Sequence, residues 1–188
     1  LLKKKNKKYL VCGIEPSKSM ALACKKKGIK VFNLTFEKFQ GNEKFDLITS
    51  FELLEHISDP IEHLLKIKKL LNKNGFLYIT TLNGQGFDID LLSKNSNAIY
   101  PPYHVNFFNT FSIEYTLKKI GFKNIIVDTP GSLDLEIVIK NYKKIGNASI
   151  RLIFEQLIKY KNQKQKKNIQ NLISKSKLSS HMRIVAQA

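Results

Sequence analysis

The chain has 188 residues, 43% of them hydrophobic, and a formal charge of +17 from 32 Lys and Arg against 15 Asp and Glu. That length and apolar content suit one folded domain and exclude wholesale disorder. The charge names no nucleic-acid partner, because Arg151 and Arg183 are the only arginines and arginine makes most specific contacts to bases and phosphates; lysines on solvated helix faces are the expected reading.

No run reaches the about 18 consecutive apolar residues of a membrane span; the charge-free stretch Asn95–Ile113 is broken by Asn, Pro102 and His104. The N-terminal LLKKKNKK lacks the apolar centre of a signal peptide and reads as the exposed end of a helix. Cys12 and Cys24 form no closely spaced metal-binding pair. They read as reduced thiols of a cytoplasmic protein.

In chain order, Tyr9–Ile14 (YLVCGI) reads as a short apolar strand, and Ser17 caps a helix running to Lys27, closed by Gly28. Val31–Leu34 is a second strand and Phe45–Ser50 a third. Asp59-Pro60 then starts a helix, with Asp as N-cap, Pro at the first helical position and Glu62 three residues past the cap. Ile61, Leu64, Leu65 and Leu71 fall on one face of it, and Asn74-Gly75 ends it. Phe76–Thr81 is a fourth strand. Strand, helix and strand at these lengths predict right-handed parallel crossovers and an α/β fold.

The pattern changes at Leu82–Asn109, a long polar segment with aromatic residues and one short helix near Ile89–Ser93. Segments of this length in compact domains usually form lids or binding loops. Ser112 is expected to cap a helix over Ile113–Ile120, ended by Gly121. Asn124–Asp128 is a strand, Thr129-Pro130-Gly131 a turn, and Leu133–Lys144 and Ala148–Ser176 are helical. The latter is amphipathic through Ile150, Ile153, Phe154, Leu157 and Ile158, with a Lys-rich part, Lys159–Lys167, read as a solvated helix or loop. Met182–Ala186 is the last strand. Residues 1–188 thus read as a single domain, with 132–176 a helical insertion before the last strand.

The most informative stretch is FDLITSFELLEHISDP, Phe45–Pro60. A buried strand ends there in Glu52, Glu55 and His56, at the carboxyl side where chemistry gathers in open α/β sheets. Their i, i+3, i+4 spacing puts all three on one face of a helical turn, and His104 can approach from the long loop. Two carboxylates and two imidazoles can hold a divalent cation, Mg²⁺ or Zn²⁺, with positions left open for substrate oxygens. The alternative is plain: acids favour the positive end of a helix and His56 is a structural histidine. A metal-free site keeps His104 as general base, or relies on proximity alone. His63 and His181 read as structural, and Tyr103, Phe107 and Phe108 as packing rather than a stacking platform for bases.

Together these segments resemble class I S-adenosylmethionine-dependent methyltransferases, particularly the ubiquinone-biosynthesis O-methyltransferases, over roughly Tyr9 to Asp128. GIEPS at Gly13–Ser17 looks like that family's second strand, LNKNGFLYITTLN at Leu71–Asn83 like its fifth, and PPYHVNFFN at Pro101–Asn109 like its substrate-side loop. The resemblance implies a Rossmann-like, doubly wound, mostly parallel sheet. It implies that Glu15 accepts hydrogen bonds from the cofactor ribose, as a carboxylate can from two hydroxyls at once. It places Thr35 and Phe36 against adenine and Ser50 and Phe51 along the methionine part. The family's glycine-rich cofactor turn has no counterpart before Tyr9, and Gly84-Gln85-Gly86 follows the wrong strand. The chain is therefore expected to begin inside the domain, without the first strand.

By the same resemblance, Glu52, Glu55, His56 and His104 would hold a metal that orients an acceptor hydroxyl for in-line attack on the cofactor methyl. The expected function is S-adenosylmethionine-dependent O-methylation of a small-molecule or lipid-like acceptor, with the helical insertion helping to form its pocket. The alternatives are an RNA-associated protein, either a 2′-O-methyltransferase or a non-catalytic binder using the Lys-rich helix, and a degenerate fold kept for partner contact.

Overall fold

The computed structural model describes residues 9–159 and 163–188. The LLKKKNKK segment and the 160–162 part of the Lys-rich run lie outside the described residues. The chain divides after Glu43 into two units.

In the first unit, β1 (Cys12–Ile14) pairs in parallel with β2 (Lys30–Phe32) through helix α1 (Lys18–Lys26). Ser17 caps α1, its hydroxyl accepting the Met20 N–H at 3.5 Å. Both strands are shorter than the sequence suggests, because Tyr9 and Leu10 are exposed rather than paired and the chain turns at Asn33–Phe36.

The second unit contains β3 (Phe45–Phe51), α2 (Pro60–Leu70), β4 (Leu71–Leu82), α3 (Phe87–Leu92), α4 (Thr110–Ile120), β5 (Lys123–Asp128), α5 (Asp134–Asn141), α6 (Ala148–Lys159), α7 (Gln163–Lys175) and β6 (His181–Gln187). Its sheet has the order β3-β4-β6-β5. β3 and β4 are parallel, and β6 is antiparallel to both neighbours. Three strands therefore run one way and β6 the other, the mostly parallel α/β arrangement expected. Leu64, Leu77, Ile79, Ile113, Leu117, Met182 and Ile184 are almost wholly buried, each worth about 1.5–3 kcal/mol of transfer free energy. Among the described residues, no helix is long and apolar enough to cross a membrane.

Several boundaries differ from expectation for local reasons. Asp59 caps α2 as predicted, accepting the Glu62 N–H at 2.9 Å. The helix stops at Leu70 rather than Asn74-Gly75, because Leu71 is already extended (ψ 145°) and paired with Phe45. Asn72–Gly75 then bulges out, with Asn74 at φ 66° and Asn72 Nδ2 donating to Asp46 at 2.7 Å. The buried face of α2 is His63, Leu64, Ile67 and Leu70, while Ile61 and Leu65 are exposed. Asn109, not Ser112, caps α4, and Ser112 returns a bond to the Asn109 N–H as the other half of a capping box. Of the span expected as helical, Ala148–Lys159 and Gln163–Lys175 are helix.

Between β5 and β6, helices α5, α6 and α7 bury Leu135, Val138, Ile145, Phe154 and Ile173 together with Leu92 of α3. The turn leading from α7 into β6, Lys177–Ser180, is held by polar contacts from three directions. Asn83, just past β4, donates its Nδ2 to Ser179 O at 2.8 Å and its N–H to Ser180 O at 2.8 Å, and Phe87 N–H donates to Leu178 O at 2.7 Å. Asp134 accepts from Ser179 Oγ (2.7 Å), Gln170 Nε2 (2.6 Å) and the Ser180 N–H (2.7 Å). Asp88 accepts from Ser180 Oγ and, at 3.1 Å, from Ser96 Oγ.

Two glycines permit this approach. A Cβ on Gly86 would lie 2.5 Å from Ser180 Cα, and one on Gly131 would collide with the Ser179 side chain. Gly86→Ala is therefore expected to cost about 1–3 kcal/mol through overpacking, read as a lower urea midpoint at unchanged m. Burial pushes the Asp88 carboxyl up, the Ser96 hydroxyl pulls it down, and the like charge of Asp134 raises it again, with a net rise. A carboxyl raised in the folded state binds its proton more tightly there than when unfolded. Its stabilising contribution is thus complete at or below the ordinary carboxylate range and is lost as pH climbs through the raised value. In urea unfolding from about pH 4 upward, Asp88→Asn should gain stability relative to wild type as pH rises; a constant difference would contradict this.

Candidate functional site

β3 and β4 end side by side, with Phe51 opposite Thr80. The ladder continues one residue further, since the Glu52 N–H donates to Thr80 O at 2.8 Å. Glu52 itself adopts φ 45°, a left-handed conformation uncommon for a residue with a side chain. The following 3₁₀ turn, Leu54–His56, buries Leu54 and Glu55. The expectation that Glu52, Glu55 and His56 share one helical face is therefore corrected: Glu52 is a left-handed bend just past β3, before the Leu54–His56 turn begins, and the helical spacing rule does not reach it. Its carboxylate turns to His181 instead, Oε1 lying 3.4 Å from Nδ1.

Glu55, His56 and His104 do converge, each offering one donor atom within 4.8 Å of the others. The long loop is pinned to this turn by Val105 N–H and Asn106 N–H, which donate to Glu55 O at 2.8 and 3.1 Å. Asn106 Nδ2 adds a bond to Leu54 O at 3.2 Å. His56 Nδ1 lies 2.8 Å from Tyr103 O and His104 Nδ1 2.7 Å from Ala98 O. A carbonyl can only accept, so both Nδ1 atoms carry hydrogen and both neutral rings keep their lone pair on Nε2. The ring centroids are 4.9 Å apart. Glu55 is 4% exposed and accepts the Thr81 hydroxyl at 2.7 Å. Buried carboxylate and fixed imidazoles of this kind suit a divalent cation or a hydroxyl that needs orienting.

These groups line a cleft of about 650 Å³ that also takes in Glu52, His181, Asp88 and Asp134, with Pro130, Leu133 and Ile137 on its insertion side. Four of the chain's 15 acidic residues thus face one cavity of a protein carrying +17. His181, read from sequence as structural, lines the same cleft. The signal was its position: the first residue of an antiparallel strand sits at the carboxyl edge of its parallel neighbours, and His181 pairs with Leu82 there.

The other candidates are more dispersed. Glu15 follows β1 in the first unit, its N–H bonded to Phe32 O and its Oε1 accepting the Ser17 N–H at 2.8 Å. Thr35 and Phe36 form the turn after β2. In the second unit, Ser50 is buried with an Oγ that has no hydrogen-bond partner among the described residues. An orphaned buried hydroxyl is costly and marks a place for a ligand atom. Phe51, next along β3, is exposed, its ring centroid 5.8 Å from that of Tyr78.

A family model described as a methyltransferase domain matches residues 1–127. Among curated relatives, the ubiquinone biosynthesis O-methyltransferase of Histophilus somni is 46% identical over 41 residues, 22% of this chain and 17% of that protein. The tRNA U34 carboxymethyltransferase of Glaesserella parasuis is 32% identical over 98 residues, 49% of this chain and 29% of that protein. The chain thus spans less than a third of the length of either relative. Among solved structures, a Thermotoga maritima SAM-dependent methyltransferase, a possible histamine N-methyltransferase, superposes with a TM-score of 0.60 at 18% identity, covering 94% of this chain and 72% of that one. The plantazolicin methyltransferase BpumL, in complex with SAH, gives 0.58 at 16% identity over 99% of this chain and 69% of its own. At these identities the structures speak for the fold, and the match over 1–127 for the lineage: the chain belongs to the methyltransferase domain family, with the Rossmann-like fold of class I S-adenosylmethionine-dependent methyltransferases.

Proposed function

We propose that the protein transfers a methyl group from S-adenosylmethionine to a hydroxyl of a small-molecule or lipid-like acceptor held in the second-unit cleft. The observation that carries this reading is the convergence of Glu55, His56 and His104, with both imidazole lone pairs freed by their carbonyl contacts. Curated relatives named as O-methyltransferases support the choice of oxygen. The apolar side offered by Pro130, Leu133 and Ile137 suits an aromatic or aliphatic body behind that hydroxyl. A cleft lined by four carboxylates repels a phosphate backbone, which disfavours an RNA acceptor.

When bound, S-adenosylmethionine supplies a methyl group on a positively charged sulfur. Glu15 fits its ribose: the Ser17 N–H holds one carboxylate oxygen and leaves the other to accept a hydroxyl. The orphaned Ser50 Oγ fits a polar atom of the methionine part. Thr35 and Phe36 would meet adenine, and Phe51 would contribute its backbone where β3 ends.

The same cluster would accommodate a divalent cation on Glu55, His56 and His104, without Glu52. Two imidazoles and one carboxylate favour Zn²⁺ over Mg²⁺, which prefers oxygen ligands and water. Such an ion supplies positive charge that lowers the pKa of a nearby hydroxyl. The chain's own part is to hold the rings by Tyr103 O and Ala98 O, and Glu55 by Thr81, so that little motion accompanies the reaction. Without a cation, the lone pairs of His56 and His104 remain to hold the acceptor's hydroxyl in place.

Calorimetric titration with S-adenosylmethionine tests the reading. Binding should weaken about 10- to 100-fold in Glu15→Ala, the loss of a charge-assisted hydrogen bond. No binding to the wild-type protein would defeat the proposal. A parallel Zn²⁺ titration should show one site that is lost in His104→Gln and Glu55→Gln and retained in Glu52→Gln. Absence of zinc heat would remove the cation and leave the methyl transfer standing.

A further inference from the structure

We infer that His181, backed by Glu52, takes the proton from the acceptor hydroxyl; this rests on the methyl-transfer reading above. The three imidazoles of the cleft are not equivalent. His56 and His104 give their Nδ1–H to backbone carbonyls and cluster with Glu55. They are placed to hold. His181 alone among the cleft's imidazoles has its Nδ1 opposite the carboxylate of Glu52, at 3.4 Å. A carboxylate behind an imidazole stabilises the imidazolium that forms when the other nitrogen accepts a proton.

The backbone favours the same assignment. Glu52 is held at φ 45° by its N–H bond to Thr80 O, and a side-chain-bearing residue pays for that conformation. An exposed carboxylate–imidazole pair stabilises a fold too little to explain the strain. What the strain achieves is placement: the chain leaves β3 with the Glu52 carboxylate facing the first residue of β6 rather than joining the Glu55 cluster. The turn before His181 is fixed independently, by Asp134 on the Ser180 N–H and by Asn83 on Ser179 O and Ser180 O.

Both side chains remain about half exposed, His181 at 44% and Glu52 at 54%, so a proton taken in the cleft can leave to water. The other titratable groups lining the cavity are Glu55, His56, His104, Asp88 and Asp134. Arg183, two residues along β6, is occupied by Asp128. The transfer balances as follows. An oxygen lone pair of the acceptor forms the bond to the methyl carbon, and the carbon–sulfur pair stays on sulfur to leave S-adenosylhomocysteine. The hydroxyl proton passes to the free His181 nitrogen, then to solvent.

Imidazole ¹H–¹⁵N spectra of the neutral rings, with His181 assigned by His181→Gln, give a readout that needs neither cofactor nor turnover. His181 should carry its hydrogen on Nδ1, facing Glu52, and Glu52→Ala should lose that tautomer preference while Glu52→Asp keeps it. With radiolabelled S-adenosylmethionine and catechol as the probe acceptor, His181→Gln should slow transfer about 10²- to 10⁴-fold at unchanged cofactor affinity. Glu52→Ala should lower kcat at unchanged KM for the acceptor, and Glu52→Asp should restore most of the loss. An unchanged His181 tautomer in Glu52→Ala, or wild-type transfer by His181→Gln, overturns the inference while leaving the methyltransferase reading intact. Failure of the wild-type protein to bind S-adenosylmethionine defeats both.

Discussion

Two buried carboxylates gripping one short turn set the geometry on which the second unit depends. Asp88 on α3 and Asp134 at the start of α5 take hydrogen bonds from the side chains and backbone of Ser179 and Ser180. Asn83, from the end of β4, holds the same turn through its side chain and its N–H. Apolar packing alone would not do this. Leu92, Leu135, Val138 and Ile173 supply burial without direction, whereas buried polar groups are costly unless each donor meets its acceptor. The turn therefore has one acceptable position, and with it β6 enters the sheet in register between β4 and β5. Burial of the Asp88 carboxyl is the main cost of this arrangement, visible in its raised pKa, and the like charge of Asp134 adds to it.

That register brings chemistry from the far end of the chain to the cleft. Because β6 runs against its neighbours, its first residue lies where β3 and β4 end. His181 thereby joins a cavity that also takes in Glu55 and His56, His104 of the long loop, Asp88 of α3 and the Pro130–Asp134 segment. The cleft also reverses the electrostatic character of the protein. A chain of charge +17 places four carboxylates around one cavity, so the lysines describe the exterior and say little about the acceptor. Within the cleft, partners differentiate residues of one type: a carbonyl behind His56 and His104 fixes their tautomer, whereas His181 has the Glu52 carboxylate opposite its Nδ1.

Much was legible in the sequence where the determinant was local. The Asp59-Pro60 start of α2 needed only the residues on either side of it, as did the Gly121 stop of α4, which takes φ 91°. The carboxyl end of β3 was likewise readable as the place of chemistry. Misreadings arose where two local rules competed. Asn109 and Ser112 are both good caps three residues apart, and the structure uses them as one box. Helical spacing suggested a shared face for Glu52, Glu55 and His56, but the Glu52 N–H is still bonded to Thr80 O of β4 and its backbone is left-handed, so the helical turn begins only after it. Gly84-Gln85-Gly86 follows the wrong strand for a nucleotide loop, and the missing Cβ of Gly86 instead serves the close approach of Ser180, 94 residues later in the chain.

By itself the sequence determined the α/β class, the family resemblance and the candidate residues Glu15, Ser50, Glu55, His56 and His104, because strand composition, caps and short motifs are written in neighbouring residues. Tertiary structure alone decided which of these groups meet. It separated Glu52 from Glu55, joined His104 to His56 across 48 positions, and brought His181 to Glu52. The physical reason is that side-chain partnership depends on strand direction and on hydrogen bonds between distant segments. Neither leaves a periodic trace in the order of the residues.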